Sequence, residues 1–161
     1  MKSLDKVLIP LGMLLVAAVG LLFGQGILNG CGKDDDPVGT ITFPRDGAHV
    51  NPTLMTEGML ANIPDEDRVW LAVRVGNRFY PKPPEINPNE THWSREFVEA
   101  GQLPEERFSL VLLRVSSEGQ DQLEDWLASG ASTGSFEGLP QISGSTELDS
   151  ATGLVLGQPV E

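Results

Sequence analysis

The chain has 161 residues, with 11 Lys and Arg against 23 Asp and Glu, and a formal net charge of −12. A surface of that sign repels phosphate backbones and argues against nucleic acid as a partner. With one cysteine no internal disulfide can close, so the length allows one domain plus an added segment, held together by burial alone.

The first element is "MKSLDK" followed by "VLIPLGMLLVAAVGLLFGQGIL", Val7 to Leu28, which carries no charge. A basic start, an apolar middle and small residues before a boundary predict an export signal or membrane anchor over residues 1–30, outside the fold proper. As a helix, Leu8–Phe23 would be about 24 Å long, short of a hydrocarbon core of about 30 Å; continuing to Leu28 just spans it. Asn29, Gly30, Cys31 and "GKDDDP" follow. Leu28, Gly30 and Cys31 together resemble the lipobox of bacterial lipoproteins. In that family the small residue before the cysteine admits the peptidase, and the thiol is acylated. The resemblance implies Cys31 as the lipidation site and first residue of the mature chain; Asn29, where the family has a small uncharged residue, departs from it. A lipoprotein, an uncleaved single-span anchor and a released secreted domain all remain open. The first two keep the lysines in the cytoplasm and put the rest on the extracytoplasmic side, periplasmic or cell-surface. Residues 31–37 then form an acidic linker, whose adjacent aspartates lack the alternate spacing of a calcium loop.

From residue 38 to 157 the period is two, which predicts strands. "GTITFP" puts Ile41 and Phe43 on one face before a turn at Asp46-Gly47. "TLMTEGMLA" directs Leu54, Thr56, Gly58 and Leu60 to one side. "RVWLAVRV" sets Val69, Leu71, Val73 and Val75 against Trp70, Ala72 and Arg74, then turns at Gly76-Asn77 into Arg78–Tyr80. "PKPPEINPNE" is proline-rich and is expected as an extended surface crossing. A short strand follows around Trp93 and Phe97. "RFSLVLLRV" is apolar on both faces, with Phe108, Leu110 and Leu112 opposite Val111, Leu113 and Val115, the mark of a central strand. Leu123, Trp126 and Leu127 then recur at i, i+3, i+4, predicting one amphipathic helix over Glu118–Ser129, with Ser117 and Gln120 spaced as a capping box and Gly130 after its last turn. "ATGLVLG" supplies the last strand, Ala151 to Leu156, and residues 158–161 are a tail. Six or seven short strands in this length predict an all-β, two-sheet sandwich with one inserted amphipathic helix.

The set "ITFPRDGAHV", "EGMLANIPDEDRVWLAVRVGNRFYP", "HWSREFVEAG" and "FSLVLLRV" resembles bacterial immunoglobulin-like modules. The resemblance implies a Greek-key sandwich over 38–157, of the kind appended to surface or membrane-anchored proteins, and no activity of its own. The inter-sheet cysteine pair of antibody-type domains is missing, so Trp70 is expected to pack on aliphatics. The helix also departs from a minimal sandwich.

Motifs for chemistry are weak. His49 and His92 stand apart, without the three or four clustered ligands of a zinc site. "GASTG" and "GSFEG" do not fit a nucleophile elbow, and "GASTGSFEGLPQISG" follows a helix where phosphate loops precede one. Glu105-Glu106 and Asp65-Glu66-Asp67 read as solvated turns. The expectation is therefore a non-enzymatic domain with no cofactor and no metal. Tyr80 and Trp93 flank the proline-rich segment, and aromatics beside an extended loop bind glycans or proline-rich peptides; the competing reading places Trp70, Trp93 and Trp126 in the core. Two functions follow. One is an accessory or protein-interaction subunit of a membrane or cell-envelope complex, tethered to the membrane and contacting an envelope protein. The other is a carbohydrate- or cell-wall-binding surface lipoprotein using Tyr80 and Trp93.

Overall fold

The structure, a computed structural model, describes residues 36–99 and 107–157. The chain divides into two units, Met1–Asp34 and Asp35–Glu161. The hydrophobic leader, Cys31 and most of the acidic linker lie outside the described residues.

Among the described residues eight strands and one helix follow in order: β1 Val38–Phe43, β2 His49–Val50, β3 Thr53–Ala61, β4 Arg68–Val75, β5 Arg78–Ile86, β6 His92–Val98, β7 Arg107–Val115, α1 Ser117–Thr133 and β8 Ser145–Leu156. They form a three-stranded sheet of order β1-β3-β6 and a five-stranded sheet of order β2-β8-β7-β4-β5. All pairings are antiparallel except β2 with β8. After β1 the chain leaves the small sheet at Phe43-Pro44, turns at Gly47 (φ 71°) and joins the large sheet through β2. The turn is held there by Gly47 N–H to Thr152 O at 2.8 Å and by Asp46 Oδ1, which accepts from Thr152 N–H at 2.6 Å.

The alternation in β4 and β7 sorts their side chains to two different layers. Val69, Leu71, Val73, Phe108, Leu110 and Leu112 meet Leu54, Leu60 and Trp93 of the small sheet. Trp70, Ala72, Val111, Leu113 and Val115 face the other way and are covered by Leu123 of α1 and Ile142. Full burial of each such side chain stabilises by roughly 1.5–3 kcal/mol. The large sheet is thus the middle of three layers, which is why its central strands are apolar on both faces.

Trp70 packs among aliphatics as expected, under the helix, because its parity is opposite to Val69 and Leu71. Three expectations are corrected. Phe43 does not share the inward face of Ile41: the register shifts between them, Phe43 falls opposite Glu57, and its side chain is exposed. The prolines of "PKPPEI" are not a crossing loop but belong to β5. The helix runs four residues further than expected, to the left-handed Gly134 whose N–H bonds Gly130 O at 2.8 Å. Its N-cap is Ser116, so the N3 position is Gly119, which has no side chain to complete a capping box. Gln120 Oε1 accepts from the buried Trp70 Nε1–H at 2.9 Å, a donor that would cost about 1–3 kcal/mol if left without a partner.

Sheet edges are closed by different devices. On β1, Ile41 N–H donates to Asp149 Oδ2 of β8 at 2.7 Å. On β6, Ser94 O accepts from Arg95 Nη1 at 2.9 Å. On β5, Phe79 and Leu139 exchange two backbone bonds, both 2.8 Å. Backbone groups alternate sides along a strand, so Pro81 also faces away from β4, with a carbonyl and no N–H. A proline at such a position denies a neighbouring chain its hydrogen-bond ladder.

Candidate functional site: an aromatic groove beside an edge strand

The groove grows from the end of α1. Gly134 reverses the chain, and the loop after it folds back over the helix and out to β5. Phe136 lies directly on Gly130: a Cβ there would stand 2.1 Å from the ring, so only glycine lets the loop approach this closely. Trp126 Nε1–H donates to Glu137 O at 2.7 Å, and its ring meets Phe136 with centroids 5.0 Å apart and planes at 56°. This tilted arrangement is one that the ring quadrupoles favour. Gly138 then fits beneath the Tyr80 ring, Arg78 Nη1 donates to Gly138 O at 2.9 Å, and Leu139 pairs with Phe79. The loop therefore covers the first residues of β5 and stops short of Pro83, which is exposed.

What remains is an apolar groove of about 220 Å³ lined by Tyr80, Pro81, Lys82, Pro83, Trp126, Leu127 and Phe136. Phe136 is 47 % exposed within it. The Lys82 ammonium is tied down by an ion pair with Glu99 and lies 5.4 Å from the Phe97 ring centroid. On the other side of Trp126 a polar cavity of about 620 Å³ is bounded by Arg78, Asp125, Ser129, Thr133 and Glu137, among others. A third hollow, about 650 Å³, holds Arg68 and Arg95 near Asn87 and Asn89, and both cations there are engaged, by Glu85 and Glu90 at 3.5 Å each. Rigid aromatic surface beside an immobile proline edge binds extended polymers at low entropic cost.

The structure separates the two expected site residues. Tyr80 lines the groove, half-buried. Trp93 does not: it is 3 % exposed, between the sheets, opposite Gly58 on β3. A side chain so enclosed has no face to offer a ligand, and the pairing of Tyr80 with Trp93 is withdrawn. Trp126 takes its place, with Phe136, which sequence reasoning passed over. The signal for Phe136 was a lone large aromatic inside the Gly- and Ser-rich "GASTGSFEGLP". Arg74, on the face of β4 opposite Val69 and Leu71, bonds Glu147 at 3.0 Å. Among the described residues no three His, Cys, Asp or Glu side chains are grouped to hold a metal, and no helix is long and apolar enough to cross a membrane. No family model, curated protein or solved structure matches the chain.

Proposed function

We propose that the chain is a membrane-tethered, extracytoplasmic immunoglobulin-like module that acts without catalysis, as a protein-interaction or accessory subunit of a membrane or cell-envelope complex. The strand orders β1-β3-β6 and β2-β8-β7-β4-β5 support the Greek-key reading, since β1 and β2 split one edge between two sheets and connections repeatedly cross the sandwich. The lipobox-like Leu28, Gly30 and Cys31 support the tether. Cys31 acylation would anchor it at about 0.8 kcal/mol per buried CH₂.

The observation that carries the interaction role is the Tyr80–Trp126–Phe136 groove. It is built by the helix and loop that a minimal sandwich lacks, and it keeps the Phe136 ring half-exposed. Gentle detergent extraction tests the role. The wild-type chain should co-purify with a defined envelope protein, Phe136→Ala should lose it, and Met55→Ser on the outer face of β3 should keep it. Equal recovery with all three chains would refute the groove as the interaction site. The carbohydrate-binding reading is weakened by the burial of Trp93.

A further inference from the structure

We infer that the groove takes a cationic peptide: an extended segment with an arginine or lysine next to an apolar or proline residue. The inference rests on the protein-interaction reading above and names its partner's chemistry. Trp126 lines both the apolar groove and the polar cavity, so a chain seated against Tyr80 and Phe136 that continues past Trp126 reaches the side of Asp125 and Glu137. Both carboxylates are exposed and line a cavity whose one cation is Arg78, so the acids outnumber the base there by two to one.

The helix and loop that wall the site are acidic. Residues 117–140 contain five Asp and Glu and no Lys, Arg or His. Four of these acids, Glu118, Asp121, Glu124 and Asp125, lie on α1. A site made of carboxylates and an indole selects a ligand rich in donors. A guanidinium or ammonium meets both, by charge-assisted hydrogen bonds and by stacking on Trp126. Lys82 does not cancel this field, since Glu99 neutralises it. The occupant is thus a basic, apolar-flanked peptide, and not an anionic polymer.

The test uses the full chain in zwitterionic detergent and two fluorescein-labelled, end-blocked nonapeptides of proline and leucine. One has a central arginine and the other citrulline, its neutral isostere. Anisotropy should show the arginine peptide binding at least about tenfold tighter, with the difference shrinking at 0.5 M salt as exposed charges are screened. The double variant Asp125→Asn/Glu137→Gln should reduce the arginine peptide to the citrulline level and leave the citrulline peptide unchanged. Phe136→Ala should weaken both. All three protein chains must share one circular dichroism spectrum. Equal binding of the two peptides overturns the cationic inference while leaving the groove as a protein site. Absence of binding by either peptide overturns it too, and the co-purification assay then judges the groove separately. Binding of a neutral cell-wall oligosaccharide, lost in Phe136→Ala, overturns both readings in favour of a glycan.

Discussion

Gly58→Ala is the most demanding test of the packing. On β3, Gly58 faces inward between Thr40-Ile41 of β1 and Trp93 of β6. An added Cβ would stand 2.0 Å from Thr40 O, and 2.3 and 2.5 Å from Trp93 Cζ2 and Cε2. Neither neighbour can yield easily. Thr40 is paired with Met59 in the β1–β3 ladder, and the Trp93 ring is enclosed by the core. Overpacking typically costs about 1–3 kcal/mol and sometimes more. Against this, alanine regains about 0.5–1 kcal/mol of backbone entropy that glycine loses within a strand. With two fixed obstacles, one of them backbone, a net loss of about 3 kcal/mol is expected. For a urea m-value of about 1.5 kcal/mol/M that lowers the unfolding midpoint by about 2 M. Equilibrium unfolding of the full chain in detergent, followed by tryptophan emission, measures it. Trp93→Leu in the same background should restore part of the loss and not all, because the Thr40 carbonyl remains. A midpoint moved by less than about 0.3 M would show that the sheet spreads freely at this point, and would refute the enclosed placement of Trp93.

Gly130→Ala should behave in the opposite way. The obstructing Phe136 ring is half-exposed and can swing out, while the helix gains up to about 1 kcal/mol, so the thermal midpoint holds or rises as binding in the groove falls. Leu123→Ala removes the fully buried contact between α1 and the large sheet and should cost about 2–5 kcal/mol by urea unfolding. Cys31→Ser should release the chain from the membrane fraction if the cysteine is acylated; intact mass of the parent then shows an acylated chain beginning at Cys31.

Much of the sandwich was legible locally. The alternations Val69-Leu71-Val73 and Phe108-Leu110-Leu112 marked strands, and apolar residues at the intervening positions marked a sheet covered on both faces. Asp46-Gly47 and Gly76-Asn77 marked turns, and both glycines have positive φ. The spacing of Leu123, Trp126 and Leu127 marked the helix. These signals are legible because side-chain direction repeats every 2 or 3.6 residues whatever lies opposite.

The placement of the aromatics was not legible in this way. Periodicity says that Trp70 and Val69 face opposite sides; it does not say which side meets a second sheet and which a helix. Phe43 was misplaced by a bulge, a slip of one residue that local pattern hides. Trp93 and Trp126 look alike in sequence, yet one is closed in by Gly58 and the other left half-open beside Phe136. The groove joins residues 80–83 to 126–136, and it exists because Leu139 pairs with Phe79, sixty positions earlier. Composition and local period determined which segments are strands, which is the helix, and that the surface is acidic. Only the long-range pairing of the α1–β8 loop with β5 decided where an aromatic face stays uncovered, since such a contact depends on chain ends meeting in space and leaves no period in the sequence.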